Sequence, residues 1–134
     1  MKIDPIHPRS WRKPSGYSNA ILARRPEGFL FVAGQIAWDE EQKMVGVGDF
    51  GAQFRQALDN VCTVVRAGGG HPSDITRLTM FVVDKRQYMD NLEVIGTAYR
   101  ELIGRHYPAM SLVQVVALLE DDALIEIEAT AAIG

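Results

Sequence analysis

The sequence contains a single cysteine, Cys62, among its 134 residues. One cysteine cannot form an internal disulfide, which excludes the small secreted domains that depend on disulfide frameworks and fits a reducing cytoplasm. No apolar run is long enough to span a bilayer, and residues 1–14 are polar and interrupted by prolines, unlike a signal peptide. We therefore expect a cytoplasmic protein that does not enter a membrane.

Positive charge and metal-ligand patterns are also scarce. The 14 lysine and arginine residues are outnumbered by 17 aspartate and glutamate residues, giving a net charge of −3. This balance argues against a nucleic-acid partner bound over a broad basic face. His7, His71 and His106 lie far apart and show no ligand spacing with cysteine or carboxylate, so no metal site is expected.

Two helices are predicted from the apolar periodicity. Asp49 is the predicted N-cap of a helix that ends at the glycines 68–70. A second helix is predicted over about residues 88–105. The apolar stripe of the first helix comprises Phe50, Phe54, Leu58, Val61 and Val65, and the inward side of the second comprises Leu92, Ile95, Tyr99 and Leu102.

Five strands are predicted, at residues 17–23, 29–38, 75–83, 107–119 and 123–131. The first two are expected to form a hairpin, and the last two are expected to pair across the acidic turn 120–122. Residues 1–16 are predicted to be irregular because of their prolines and Gly16. With 47% hydrophobic residues, the chain 1–134 is expected to be one α+β domain, a two-layer sandwich with two helices on one face of a sheet.

Two of the predicted strands are apolar on both faces, around Phe31 and around Val115. Such a pattern is typical of strands that are buried on both sides. Two helices cover only one face of a sheet, so a monomer would expose the other face as an apolar patch. We therefore expect a homo-oligomer that buries the far face of the sheet.

Two local patterns have plain structural explanations. Residues 46–51 match the glycine pattern of dinucleotide-binding loops, but the parallel βαβ unit that such a loop needs is missing. Turn glycines followed by an N-cap at Asp49 explain the pattern better. Cys62 lies beside the apolar stripe of the first helix, which favours a buried structural thiol over a nucleophile.

Glu126 and Glu128 are the first candidates for acid/base chemistry. In the alternating strand 123–131 both carboxylates fall on the same face, roughly 7 Å apart. The competing interpretation is an ordinary solvated strand face. The residues alone leave both interpretations open.

Five segments, in order along the chain, resemble the RidA/YjgF family of small trimeric enamine/imine deaminases. They are residues 16–20 (GYSNA), 31–36 (FVAGQI), 53–60 (QFRQALDN), 108–111 (PAMS) and 122–129 (DALIEIEA). The resemblance implies a chorismate-mutase-like (bacillus-type) α+β fold. It also implies a homotrimer around a central barrel, with three ligand clefts between neighbouring subunits.

The resemblance also implies a set of site residues. Tyr17, Gly34 and Glu128 match the pocket tyrosine, the backbone-contact glycine and the acidic residue of the family, and Glu128 is the predicted catalytic group. Ser111 matches the serine of the family's Pro-Ala-Arg-Ser segment. The departures are Ala33, Leu112 and Met110, where the family often has serine, cysteine and arginine respectively; they belong to the same predicted substrate-binding set.

Met110 replaces the arginine that forks onto the carboxylate of a 2-imino acid in family deaminases. A thioether cannot substitute for a bidentate, charge-assisted contact. Leaving a buried carboxylate unmatched costs on the order of 3–5 kcal/mol, or two to four decades in binding. The expected ligand is therefore more apolar than the usual 2-imino acids, or carries its charge elsewhere.

The resulting hypothesis is a deaminase-like hydrolase that acts on a small molecule without a cofactor. Glu128 would orient or deprotonate the attacking water, and Tyr17 would close the pocket. The alternative is a non-catalytic trimer that binds a small molecule or a protein partner. A ribonuclease activity, also ascribed to the family, is disfavoured by the acidic balance of the chain and by the lack of a histidine pair or a basic aromatic face.

Overall fold

The computed structural model describes all 134 residues. Six strands and three helices follow one another, with a 3₁₀ turn at Pro72–Asp74. The elements are β1 (Lys2–Ile6), β2 (Ala20–Arg24), β3 (Gly28–Gln35), α1 (Phe50–Ala67), β4 (Ile75–Val82), α2 (Lys85–Asp90), α3 (Leu92–Leu102), β5 (Ala109–Gln114) and β6 (Ile125–Ile133).

The main sheet has four strands in the order β3-β6-β4-β5, and β1 and β2 form a separate two-stranded ribbon. Strand β6 is antiparallel to both β3 and β4, whereas β4 and β5 are parallel. The parallel pair is connected through α2 and α3, as parallel neighbours require. The helices α1 and α3 lie on one face of this mixed sheet, so the predicted two-layer α+β sandwich is confirmed.

Helix α1 forms as its sequence predicts. The Asp49 carboxylate accepts a hydrogen bond from the Ala52 N–H at 3.1 Å, and Gly68 caps the carboxyl end. All five predicted stripe residues are buried against the sheet. Gly46 and Gly48 adopt positive φ in the turn before the cap, so the glycine pattern there is turn chemistry, as predicted.

The second predicted helix is wrong as a single element, because it is divided at Asn91 into α2 and α3. Asn91 leaves helical geometry, and its side chain donates to the Gln87 carbonyl at 2.6 Å, ending α2. Ile95 and Tyr99 are buried as predicted, but Leu92 is 57% exposed. Leu92 is the first residue of α3 and lies outside the core cluster that contains Ile95 and Tyr99.

The prediction for the amino-terminal residues is also wrong, since residues 2–6 form a strand rather than an irregular arm. Pro5 is accommodated because β1 is an edge strand, paired antiparallel to β2 on one side only. The predicted strand at 17–23 begins instead at Ala20. Part of the segment 1–16 is therefore held in a strand by its pairing with β2, a long-range contact that local composition does not predict.

Two predicted strand pairings are wrong. Strand β2 pairs with β1 and not with β3, because Arg25 takes a left-handed φ of 54° and redirects the chain into the other sheet. Strands β5 and β6 are not neighbours, because β4 lies between them. The predicted acidic turn forms, and in it the Ala123 N–H donates to the Glu120 carbonyl. The connection 115–124 is nevertheless long enough to carry the chain past β4, so that β6 pairs on the other side of β4.

The open face of the sheet, opposite the helices, carries the side chains that alternate with the buried ones. Phe31 is 78% exposed and Phe29 is 60% exposed on this face. Polar groups interrupt the apolar surface, because Arg77, Thr79 and Glu128 lie on the same side. The open face is thus a mixed surface with exposed aromatic rings, not a uniformly apolar one.

Candidate functional site

A cavity of about 550 Å³ lies between α3 and the edge strand β5. Ten of its fifteen lining residues are hydrophobic, so most of a bound ligand would contact apolar groups. The α3 wall consists of Leu92, Ile95, Gly96, Tyr99 and Arg100, which fall on one helix face. The β5 wall consists of Met110, Ser111 and Leu112, and the remaining lining residues are Ser15, Gly16, Tyr17, Phe54, Met80, Tyr88 and Tyr107.

The register of β5 explains why Met110 and Leu112 face the cavity. Met110 lies opposite Leu78 of β4, and Leu112 lies opposite Met80. Because Leu78 and Met80 are buried beneath the helices, their partners on β5 face the same layer. Met110 and Leu112 therefore form part of the cavity wall.

Tyr17 is held beside the cavity by its neighbour in the sequence. The Ser18 N–H donates to the Pro108 carbonyl at 3.1 Å, and the Ser18 hydroxyl donates to the Tyr107 carbonyl at 2.5 Å. Ser18 is buried, so these bonds are shielded from water. They attach the loop carrying Tyr17 to the segment leading into β5.

A pair of stacked tyrosine rings forms another part of the lining. The rings of Tyr99 and Tyr107 are nearly parallel, with centroids 5.6 Å apart and an interplanar angle of 3°. The Tyr99 hydroxyl donates to the His106 carbonyl. Burial raises the pKa of Tyr99 well above its ordinary value, so this hydroxyl stays neutral and remains a donor.

Glu128 does not line this cavity. Its register partner is Thr79, whose partner on β5 is Ser111, so the three residues form a row across the open face. Two strand spacings separate Glu128 from Ser111, roughly 10 Å. Glu128 is exposed, and its carboxylate makes no hydrogen bond or ion pair within the chain.

Ala33 and Gly34 lie near the other glutamate. A bulge between Val32 and Gln35 interrupts pairing with β6 here. A Cβ placed on Gly34 would meet the Glu126 carboxylate at 2.5 Å. Gly34 therefore makes room for Glu126, while Ala33 lies exposed on the same edge strand.

The predicted site residues thus fall into two groups within one chain. Tyr17, Met110, Ser111 and Leu112 line the cavity. Ala33, Gly34 and Glu128 belong to the β3–β6 side of the sheet and are absent from its lining.

Sequence reasoning missed Arg100, the only charged residue lining the cavity. None of the four ion pairs in the structure involves Arg100, and its one hydrogen bond to another side chain, to the Thr97 hydroxyl, is long at 3.4 Å. Four residues earlier on α3 is Gly96, where an added Cβ would lie 3.1 Å from Arg100 Nη1. No local pattern distinguishes Arg100 from a solvated helix residue, so only the folded arrangement identifies it.

The other arginines occupy different places. Arg24 pairs with Asp4 at 3.1 Å in the β1–β2 ribbon. Arg77 lines a smaller cavity of about 150 Å³ that also touches Met110 and Ser111. Arg105 lines a neighbouring cavity of about 530 Å³.

This neighbouring cavity brings together two histidines that are 99 positions apart, His7 and His106. Lys13 and Arg105 also line it, and no acidic residue does. The His7 Nδ1 lies 3.0 Å from the Asn19 amide oxygen, and His106 Nε2 donates to the Ile75 carbonyl. The distance between the histidines in sequence concealed this arrangement.

Two further features bear on the expected partners. No three histidine, cysteine, aspartate or glutamate side chains converge in a way that could hold a metal ion. No helix combines the length and the apolar character needed to cross a membrane.

Comparison with known proteins decides the family. The sequence model of the family described as Endoribonuclease L-PSP matches residues 11–133, nearly the whole chain. The chain belongs to the RidA/YjgF family. The resemblance drawn from its sequence motifs is confirmed, and so is the family's fold.

Relatives of this RidA/YjgF chain come from several organisms. A RutC family protein of Pyrococcus horikoshii is 38% identical over 120 residues, which cover 89% of each chain. The crystal structure of YyfB from Yersinia pestis, a Rid-family protein of unknown function, superposes with a TM-score of 0.86 at 35% identity, covering 99% of this chain and 100% of that one. The YjgF gene product of E. coli superposes with a TM-score of 0.65 at 31% identity over 87% of each chain.

Proposed function

We propose that this RidA/YjgF protein is an enamine/imine deaminase-like hydrolase whose site is completed by a neighbouring copy of the chain. The observation that carries the proposal is the division of the predicted site residues. The cavity beside Met110 contains no carboxylate or imidazole, and Glu128 lies exposed on the open face. A second subunit that covers the open face would supply its Glu128 to the cavity and bury the exposed Phe31.

The proposed assembly is a homotrimer with three such clefts. Its expected mass is three times 14.9 kDa, or about 45 kDa. Light scattering coupled to size exclusion measures this directly. A monomeric mass at micromolar concentration would contradict the proposed site, because the cavity would then lack Glu128.

In the proposed reaction, Glu128 transfers protons while water replaces nitrogen at an imine carbon. Its carboxylate accepts a proton from water as the water oxygen bonds to the carbon, and the C=N π electrons move to nitrogen. The proton held by Glu128 then passes to nitrogen, giving a carbinolamine. The same carboxylate moves the hydroxyl proton to nitrogen, and ammonia leaves as the carbonyl forms.

The substrate is expected to differ from short 2-imino acids, because Met110 cannot bind an α-carboxylate at the β5 wall. The test generates 2-iminopropionate in situ with an amino-acid oxidase and follows ammonia release. We expect negligible acceleration by the wild-type protein and a gain of activity in Met110→Arg. Rapid turnover of 2-iminopropionate by the wild-type protein would contradict this role of Met110.

The role of Glu128 is tested by Glu128→Gln, with Glu120→Gln in the exposed acidic turn as the matched control. Once a substrate is found in an imine panel, we expect Glu128→Gln to remain trimeric and to lose activity about 100-fold or more. Mixed trimers of Glu128→Gln and Tyr17→Ala subunits should recover part of the activity, because some clefts combine intact residues from both. Ligand-induced thermal stabilisation without turnover would instead favour the non-catalytic binding protein.

Cleavage of RNA is a second candidate function, favoured by one observation. His7, His106 and Lys13 line the same cavity, and two histidines with a cation can serve as acid, base and phosphate contact in phosphodiester cleavage. The description of the matching family also names an endoribonuclease. Single-stranded RNA incubated with wild-type and His106→Ala proteins tests this candidate, and equal RNA stability with and without the wild-type protein would exclude it.

A further inference from the structure

We infer that Arg100 of α3 is the anion-binding residue of the cavity and that the ligand is a monocarboxylate with an apolar body. The inference deepens the proposed function by naming the chemical class that the same site accepts. The cation absent from position 110 is replaced by one on a different wall.

The composition of the cavity is the first reason. Arg100 supplies the only formal charge among fifteen lining residues, ten of which are hydrophobic. The Arg100 side chain is exposed, so an anion can reach its guanidinium while the rest of the ligand contacts the apolar lining. One positive charge matches a carboxylate, whereas a phosphate dianion would need a second cation.

The availability of the guanidinium is the second reason. Arg100 belongs to no ion pair, although its neighbour Glu101 pairs with Arg55. Its contact with the Thr97 hydroxyl, at 3.4 Å, occupies one of its N–H donors. The remaining donors are free to fork onto a carboxylate.

The shape of α3 is the third reason. Gly96 stands one helical turn before Arg100, and a Cβ there would approach Arg100 Nη1 to 3.1 Å. The guanidinium therefore lies back over the bare backbone of Gly96, which itself lines the cavity. This arrangement places the exposed guanidinium beside the cavity wall that Gly96 helps to form.

The location of Arg100 also explains how the cavity can select its ligand. Met110 and Arg100 belong to different elements, so a carboxylate held at α3 leaves the apolar body against Met110, Leu112 and the tyrosines. A three-carbon imino acid has little body to fill a cavity of about 550 Å³. A larger carboxylate, preferably with a planar body, would contact both the α3 wall and the β5 wall.

The experiment compares two probes of the same shape, phenylacetate and phenylacetamide, titrated into the full-length protein and followed by NMR chemical-shift changes. We expect the wild-type protein to prefer the carboxylate by about tenfold or more, as a charge-assisted contact provides. Arg100→Gln should abolish the preference while leaving the amide affinity within about twofold. Arg100→Lys should retain part of the preference, because it keeps the charge without the fork.

Two variants complete the design. Arg66→Gln, on the exposed end of α1 and away from the cavity, should keep the full preference. Arg77→Gln should also keep it, because Arg77 lines only the smaller cavity. Loss of the preference in Arg77→Gln but not in Arg100→Gln would overturn the inference. Equal affinity for both probes, or no saturable binding of either at millimolar concentration, would also overturn it.

Because these measurements record binding, they are independent of turnover. A preserved carboxylate preference without deamination of any imine would refute the hydrolase and leave the role of Arg100 intact. Deamination of an imine by a wild-type protein that shows no carboxylate preference would refute the role of Arg100 and leave the hydrolase intact.

Discussion

Gln53 is a buried amide whose replacement by leucine should destabilise the protein through lost hydrogen bonds alone. The residue is fully buried in α1, and its side chain makes three bonds to distant backbone groups. It donates to the Gly46 carbonyl at 3.1 Å and to the Asp122 carbonyl at 2.9 Å, and it accepts from the Leu124 N–H at 2.8 Å. The Gln53 side chain therefore connects the loop before α1 to the turn that precedes β6.

The magnitude follows from these three bonds. Each contributes about 1 kcal/mol net, and Gln53→Leu leaves three backbone groups without their partner in the interior. We expect a loss of about 3 kcal/mol in the free energy of unfolding. For a chain of this length, that loss lowers Tm by roughly 10 °C.

The assay is urea unfolding at one fixed protein concentration, because oligomer stability depends on concentration. Gln87→Leu is the matched control, since Oε1 of Gln87 is buried without a hydrogen-bond partner. The same chemical change there should be neutral or stabilising. If Gln53→Leu costs no more than Gln87→Leu, the assigned role of the three bonds is wrong.

Three further predictions concern other parts of the molecule. Burial raises the pKa of the Cys62 thiol from 9.0 to about 11, so the native protein should resist alkylation at pH 8, and rapid labelling of the native state would contradict the burial. Between about pH 9 and 11 the folded state keeps a thiol proton that the unfolded state releases, so the free energy of unfolding should fall as the pH rises through this range. Gly96→Ala should raise Tm by a few degrees, because alanine in a helix interior stabilises by about 0.5–1 kcal/mol relative to glycine. It should also weaken the preference for phenylacetate over phenylacetamide, because the added Cβ displaces the Arg100 guanidinium. An unchanged preference would show that the position of the Arg100 guanidinium does not depend on Gly96. Phe31→Glu should reduce the mass in solution below that of a trimer, whereas the control Arg66→Glu on α1 should leave the mass unchanged. A trimeric Phe31→Glu protein would show that the Phe31 ring lies outside the subunit interface.

Local sequence signals predicted the helices better than the strand partners. The stripe from Phe50 to Val65 and the cap at Asp49 depend on neighbours three or four residues away, and both were predicted correctly. The partners of β2 and β5 depend on how strands distant in sequence compete for one another. The left-handed turn at Arg25 and the crossing over β4 are the physical outcome of that competition.

The candidate site also contains residues that local signals predict and residues that depend on long-range contacts. Met110 and Leu112 could be placed in one cavity from the family motif, because their alternation on β5 is local. Arg100 could not, since helix periodicity identifies a face of α3 without saying what that face meets. The meeting of His7 with His106 likewise depends on the β1–β2 ribbon, which local composition did not predict.

The position of β6 has a consequence for how the chain acquires its structure. Although β6 follows β3 and β4 in the sequence, it lies between them and supplies the partners of both. During synthesis, β3 and β4 are therefore made with unpaired edges and must wait for a strand translated some forty residues after β4 ends. Until then the nascent chain presents two open strand edges, the feature of a sheet that favours premature association with other chains.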